Sequence, residues 1–211
     1  MTKKEEWLAG TRSAVPIMLG YVPVGIAYGV MARQAGLNTW QTVLMSLTVY
    51  GGASEMMAAG MVAQGAAVLT IVLTTFILNL RHIIMSTCVF NQMQGGRLPV
   101  RMLAAFGVTD ETFAVYTTTA NAPRTPRYFF SMALCSYLSW ALGSWLGAIA
   151  TGLLPPLITA ALGISLYAMF IGLLMPGLHG NGRLAALVVL TALCNTCLLY
   201  TSDAADDTPC V

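Results

Sequence analysis

Long apolar stretches separated by short polar segments dominate the pattern along the chain. Residues 14–32 carry no charge, and a helix needs about 20 apolar residues to cross a bilayer. The whole pattern predicts an all-α, polytopic transmembrane bundle of six to seven spans, some of them broken or re-entrant. The predicted spans are 14–32, 40–63, 66–90, 98–122, 128–154, 157–175 and a last one that opens at 184 and is cut short near 196.

Composition supports a membrane location. The 211 residues are 57% hydrophobic and only 9% charged, whereas ordinary soluble domains carry about 25% charged residues. This small number of charged side chains cannot cover the surface of a soluble protein. The lipid bilayer must therefore surround much of the chain. No basic run predicts nucleic-acid binding, and no Cys or His spacing is typical of a metal or cofactor site.

The distribution of basic residues predicts an orientation. If every predicted span crosses, the positive-inside rule favours a cytoplasmic N-terminus in the inner (plasma) membrane. The inner side then holds Lys3, Lys4, Arg12, Arg124, Arg127 and Arg183, and the outer side holds Arg33, Arg97 and Arg101.

Several ionisable or strongly polar residues interrupt the apolar stretches. They are Glu55, Asn79, Arg81, His82, Asp110 and Glu111. A charge at mid-membrane costs about 2.5–3.5 kcal/mol when it is unpaired. We therefore expect these groups to face one another or a wet cavity, because lipid cannot solvate them.

Helical spacing orders these residues into stripes. Thr75, Asn79, His82 and Ser86 step by three or four positions and form one polar face of a helix. A second stripe of the same spacing contains Thr109, Thr112, Tyr116 and Thr119. Such faces are typical of helices that line an aqueous path.

Two interpretations of the charged residues stay open. In the functional one, Arg81 binds a substrate carboxylate through its guanidinium, and His82, Glu55, Asp110 or Glu111 carries a coupling proton. In the structural one, Arg81 forms an interhelical ion pair with an acid, and His82 braces two helices by hydrogen bonding.

Proline and glycine residues mark candidate hinges or helix breaks. Pro23 and Gly25 lie in the first predicted span, and Gly51 and Gly52 lie in the second beside Glu55. Transporters use broken helices to direct helix ends at a substrate. Close packing of small residues between helices explains the same pattern equally well.

Several local patterns, in this order, resemble the AzlC family. They are Gly20-Tyr21-Val22-Pro23-Val24-Gly25-Ile26-Ala27-Tyr28-Gly29, the stretch from Tyr50 to Glu55, Asn79-Leu80-Arg81-His82 continuing to Ser86, Thr109-Asp110-Glu111-Thr112-Phe113-Ala114, and Tyr167-Ala168-Met169-Phe170-Ile171. The resemblance runs from about residue 10 to residue 196, with Glu55 where the family usually carries Gln. It implies export of branched-chain amino acids and a small AzlD-like membrane subunit as partner.

Three functions from different classes are compatible with the sequence. The preferred one is a secondary transporter exporting hydrophobic amino acids, driven by an ion gradient, because no G-x-x-x-x-G-K-[ST] motif for ATP occurs. An intramembrane enzyme is the alternative, but the H-E-x-x-H and G-x-S-x-G motifs are missing and no catalytic residue is predicted. An accessory subunit of a transport complex is the third.

The C-terminal residues 197–211 do not continue the membrane pattern. Asp203, Asp206 and Asp207 follow an apolar run that is too short to span. The stretch resembles a translated sequencing adapter, and we expect it to be a non-native tail on a transporter domain of residues 1–196. A genuine acidic tail that ends a short helix is the alternative.

Overall fold

The computed structural model describes residues 2–119, 122–153, 171, 175, 178 and 182–206, and the helices found there confirm the predicted all-α bundle. In chain order they are α1 (Lys3–Gln34), α2 (Thr39–Val49), α3 (Gly52–Ala63), α4 (Val68–Asn79), α5 (Arg81–Gln92), α6 (Leu98–Phe106), α7 (Asp110–Thr118), α8 (Pro126–Ala150) and α9 (Gly182–Asp206).

Within the described residues, three stretches are long and apolar enough to cross a membrane. They are α1, the run Val68–Gln92 that contains α4 and α5, and α8. The predicted spans 40–63 and 98–122 are each divided into two helices, α2–α3 and α6–α7. The predicted sixth span and the Tyr167–Ile171 pattern lie almost wholly outside the described residues.

Local sequence explains where the helices begin. Thr2 and Glu5 form a capping box at the start of α1, and Asn38 and Gln41 form one at the start of α2. These side chains accept hydrogen bonds from backbone N–H groups that have no partner within the first turn of the helix. Thr125 caps α8, where Pro126 at the first position has no N–H to satisfy.

The core of α1–α8 forms where α1 packs lengthwise on α8. Ile17, Val24 and Tyr28 of α1 are buried there, as are Phe129 and Met132 of α8. By contrast, α4 buries none of its residues. An apolar helix face without protein cover is the kind of surface that lipid solvates.

Glycines set the distance between α1 and α8. A methyl group added at Gly29 would stand 2.3 Å from the carbonyl oxygen of Ser144, and one at Gly147 would stand 2.2 Å from that of Ile26. Gly25 approaches Gly143 in the same way. Small residues spaced four apart let two membrane helices come into backbone contact.

The first span is therefore not broken at its proline. Helix α1 continues through Pro16 and Pro23, so the broken helix, one of the two possibilities left open for Pro23 and Gly25, does not occur; a hinge there stays a prediction. Close helix packing, the alternative, describes this region. Neighbouring turns retain their hydrogen bonds, and contact with α8 along most of α1 stabilises the helix across the missing N–H of Pro23.

The last helix, α9, belongs to a second compact unit and is described by itself. It runs from Gly182 to Asp206, so the helix continues past residue 196. Residues 207–211 of the expected tail lie outside the described part of the chain.

Candidate functional site

Three junctions between consecutive helices supply the residues of the site. At the α2–α3 junction, Tyr50 adopts a left-handed conformation with φ 47° and ψ 47°. It is the one non-glycine residue with positive φ in the described part of the chain, a conformation that is costly outside glycine and often found at functional sites. Leu80 separates α4 from α5, and residues 107–109 separate α6 from α7.

A cavity of about 230 Å³ lies where these junctions meet. Tyr50 comes from the first junction, Asn79 and His82 flank the second, and Val108 comes from the third. The lining residues are Val49, Tyr50, Asn79, His82, Ser86, Ala105, Phe106 and Val108. Distant segments of the sequence therefore form one partly polar chamber.

Two buried polar atoms at this cavity have no hydrogen-bond partner among the described residues. They are the hydroxyl oxygen of Tyr50 and Oδ1 of Asn79. Gly51 lies beside the Asn79 side chain, where an added methyl group would stand 3.3 Å from Oδ1. Buried polar groups are normally paired, so two unpaired polar atoms at one cavity indicate a site for water or for a polar ligand.

The predicted polar stripes have different environments. Asn79, His82 and Ser86 of the first stripe line the cavity. In the second stripe, Thr109 and Thr112 cap α7, and the Tyr116 ring packs edge-on against Phe129 at 5.1 Å. The second stripe is therefore largely packed inside the protein and does not border the cavity.

Arg81 forms an ion pair with Asp110 across the α5–α7 contact. Their side-chain atoms Nη1 and Oδ2 are 2.8 Å apart, with 42% and 24% of the two side chains exposed. This arrangement is the interhelical pair anticipated as one interpretation of Arg81. Both residues adjoin cavity positions in the sequence, because His82 follows Arg81 and Val108 precedes Asp110 by two residues.

Glu111 is buried in a small hydroxyl cluster. The Tyr21 hydroxyl donates to Glu111 Oε2 at 2.6 Å and lies 2.7 Å from Thr109 Oγ1. Only 5% of Glu111 is exposed. Tyr21 reaches this cluster from α1, so the cluster joins α1 to the N-terminus of α7.

Glu55 is fully buried at the α2–α3 junction. Its Oε1 accepts a hydrogen bond from the Gly51 N–H at 2.9 Å, and its Oε2 accepts one from the Trp140 indole N–H at 3.2 Å. The Trp140 ring packs against Tyr21 and Tyr28 of α1. Gly52 lies against the same ring, where a methyl group would stand 3.0 Å from an indole carbon.

A second, apolar cavity of about 270 Å³ adjoins the first. Phe106 lines both, and the Tyr137 ring of the apolar cavity meets the Tyr50 ring edge-on at 4.9 Å. The lining residues are Leu103, Phe106, Gly107, Phe130, Ala133, Leu134 and Tyr137. A polar chamber next to an apolar one has the character of an amphipathic small-molecule site.

Sequence reasoning missed the aromatic residues Tyr21, Tyr50 and Trp140 as site residues. Aromatic residues are common in apolar spans, so neither spacing nor charge distinguishes these three. Their only sequence signal was position, because Tyr21 and Tyr50 fall inside the patterns that resemble a known family. Among the described residues, no three His, Cys, Asp or Glu side chains group as a metal site would require.

Comparison with known proteins places the chain among membrane proteins of one family. Residues 16–154 match the sequence model of the AzlC protein family. An uncharacterized membrane protein of Archaeoglobus fulgidus is 33% identical over 188 residues, which cover 88% of this chain and 82% of the relative. Inner membrane protein YgaZ of Escherichia coli is 30% identical over 197 residues, covering 89% and 78%.

A more distant relative carries a transport name. The branched-chain amino acid transport protein AzlC of Bacillus subtilis is 27% identical over 157 residues, covering 71% of this chain and 61% of that protein. No solved structure matches the chain. Because the family model covers most of the sequence, including all three junctions that form the cavity, this chain belongs to the AzlC family of membrane transport proteins.

Proposed function

We propose that this chain is a secondary transporter that exports branched-chain or other hydrophobic amino acids and is driven by a proton gradient. The observation that carries the proposal is the polar cavity at three helix junctions, joined through Phe106 to an apolar cavity. Family membership points to a transporter and away from an enzyme. The transport name of the Bacillus subtilis relative supports branched-chain amino acids as the substrate class.

The polar cavity suits the head group of an amino acid. The unpaired Oδ1 of Asn79 is an acceptor for the ammonium group, and the unpaired Tyr50 hydroxyl is a donor for the carboxylate. Leaving such groups unpaired costs about 1–3 kcal/mol each. Binding of a zwitterion would therefore relieve two polar groups that the protein itself does not satisfy.

Arg81 is the proposed second partner of the carboxylate. Asp110 pairs with its guanidinium, and the partly exposed pair lies next to the cavity. If a substrate carboxylate replaces Asp110 at the Arg81 guanidinium, one ion pair is broken and another is formed. Such an exchange would couple substrate binding to the position of α7, which begins at Asp110.

The apolar cavity is proposed to hold the substrate side chain and to set its size. Truncating Leu134, which lines this cavity, enlarges it and removes contacts with a leucine side chain. We expect Leu134→Ala to shift the ratio of phenylalanine to leucine transport by about tenfold, because one methylene in an apolar pocket is worth about 1–3 kcal/mol. Competition by unlabelled amino acids against labelled leucine measures the shift.

Leu138→Ala is the matched control for that variant. Leu138 lies one turn further along α8, is 56% exposed and lines neither cavity. Its selectivity should equal that of the unmodified protein. An equal shift in both variants, or none in Leu134→Ala, would contradict the side-chain pocket.

The cellular setting follows from the same proposal. The name of the Escherichia coli relative supports the inner membrane, and the distribution of basic residues supports a cytoplasmic N-terminus. The family resemblance supports a small AzlD-like partner subunit. The protein would then work as part of a complex, with the cavity described above in the larger subunit.

Efflux of labelled leucine from loaded membrane vesicles tests the function. Vesicles holding this chain with its small partner should lose leucine, and a proton uncoupler should slow that loss. Efflux indifferent to uncoupler and to external pH would contradict proton coupling. Efflux from vesicles with the small partner alone would favour an accessory role, and chemical conversion of leucine would favour an enzyme.

A further inference from the structure

We infer that Glu111 is the acid that binds and releases the coupling proton, and that Tyr21 and Thr109 exchange hydrogen-bond directions around it. The inference rests on the proton-coupled transport proposed above and names its carrier. Four ionisable residues were candidates: Glu55, His82, Asp110 and Glu111. Their hydrogen-bond partners differ, and this difference distinguishes Glu111 from the other three residues.

The Glu111 carboxyl group is bonded by the Tyr21 hydroxyl, which can donate or accept, and by its own backbone N–H, which can only donate. When Glu111 is charged, Tyr21 donates to its Oε2 at 2.6 Å and Thr109 can donate to Tyr21 at 2.7 Å. When Glu111 is protonated, it donates to Tyr21, and Tyr21 donates to Thr109. Thr109 can then donate to Thr112 Oγ1 at 3.3 Å, and Thr112 donates to the carbonyl oxygen of Gly107 at 3.1 Å.

Both protonation states therefore leave Glu111 Oε2 and the hydroxyls of Tyr21, Thr109 and Thr112 paired. An unpaired buried polar group costs about 1–3 kcal/mol, and the cluster avoids this cost in either state. The exchange moves one proton onto or off the carboxylate, and the hydroxyl protons only change partner. A site with this property can load and unload a proton without rearranging its backbone.

The partners of Glu55 lack that property. The N–H groups of Gly51 and Trp140 only donate, so neither could accept a proton from a neutral Glu55. These two hydrogen bonds favour the carboxylate, whereas full burial opposes the charge. We assign Glu55 to holding the α2–α3 junction against α8.

The other two candidates, Asp110 and His82, are less suited to carry the proton. Asp110 is paired with Arg81, so protonating it would break an ion pair. His82 borders the cavity and interacts electrostatically with both Arg81 and Asp110. A proton on His82 would therefore compete with the substrate ammonium group for the same chamber.

The cavity offers Glu111 a route for its proton. Tyr50 lines the cavity. Its side chain interacts with those of Glu111, Tyr21, Glu55 and Tyr137. The Tyr50 side chain lies within interaction distance of the Tyr21 hydroxyl, although the Tyr50 hydroxyl has no partner of full hydrogen-bond geometry among the described residues. A water molecule or a substrate oxygen bonded to Tyr50 would extend the path from the cavity through Tyr21 to Glu111.

Two transport modes of one vesicle preparation test the assignment. Exchange of labelled for unlabelled leucine needs substrate binding and movement, but no net proton transfer. Efflux driven by an imposed pH gradient needs both. We expect Glu111→Gln to retain leucine exchange and to lose gradient-driven efflux about a hundredfold, the lower range of what a positioned proton-transfer group contributes.

Matched variants keep the test decisive if Glu111→Gln fails to fold. Tyr21→Phe leaves Glu111 in place but removes the reversible partner, so it should slow gradient-driven efflux and spare exchange. Tyr28→Phe on the same helix removes a hydroxyl that donates only to the carbonyl oxygen of Thr42, and it should behave as the unmodified protein. Glu55→Gln should keep its response to the pH gradient.

The outcomes separate this inference from the proposed function. An unmodified protein that exchanges no leucine would contradict the proposed function itself. Normal exchange together with unchanged gradient-driven efflux in Glu111→Gln and Tyr21→Phe would overturn only the assignment of Glu111. Loss of the pH response in Glu55→Gln but not in Glu111→Gln would transfer the role to Glu55.

Discussion

Replacing Arg81 by glutamine is expected to abolish leucine transport, and Arg81→Lys should retain little of it. The guanidinium binds carboxylates through two parallel hydrogen bonds, which an ammonium group cannot reproduce. Arg81→Gln also leaves Asp110 without its partner at 2.8 Å. An unpaired charge at membrane depth costs about 2.5–3.5 kcal/mol, so the amount of protein in the membrane must be measured beside efflux.

A double variant separates the two roles of Arg81. Arg81→Gln with Asp110→Asn removes both charges, so the folding penalty of an unpaired acid disappears. If Arg81 binds substrate, the double variant should be present in the membrane at normal levels and still fail to transport. Normal efflux from that variant would show that Arg81 serves only as an ion-pair partner.

Substituting leucine for Gly147 is expected to prevent α1 and α8 from assembling. Even a methyl group at this position would stand 2.2 Å from the carbonyl oxygen of Ile26, which belongs to the backbone and cannot rotate away. The helices must then separate along the contact that forms the core. Overpacking costs about 1–3 kcal/mol in ordinary cores and more where backbone must move, so we expect a large loss of folded protein.

Gly60→Leu is the matched control. Gly60 also lies inside a helix, but nothing stands within 4 Å of a methyl group added there. The apparent melting temperature of the detergent-solubilised protein should fall for Gly147→Leu and stay close to normal for Gly60→Leu. Equal melting temperatures would show that the α1–α8 contact does not limit stability.

The order of the helices could be predicted from the sequence. Runs of apolar residues long enough to span, and polar segments between them, are local properties that lipid solvation imposes on any chain. The division of the second span at Tyr50 and Gly51 also had a local signal in Gly51-Gly52. The sequence could not choose between a broken and a closely packed helix at Pro23, because the contact with α8 that covers α1 there is not a local property of the chain.

The candidate site was predictable only in part. Charge at membrane depth drew attention to Arg81, Asp110, Glu111 and Glu55, because burying such groups without partners is costly wherever they lie. Helical spacing placed Asn79, His82 and Ser86 on one face, and all three line the cavity. The sequence could not choose among the possible partners of Arg81, since pairing across helices depends on their relative positions.

The sequence by itself determined that this is a helical membrane protein with polar residues inside its spans, because hydropathy and helical periodicity depend only on residues near one another in the chain. Only the tertiary structure decided which acid has which neighbours. Tyr21 lies 90 residues from Glu111, and Trp140 lies 85 residues from Glu55. A hydroxyl that can reverse contacts one acid and fixed N–H donors contact the other, and that difference exists only once Tyr21 of α1 has reached α7 and Trp140 of α8 has reached α3.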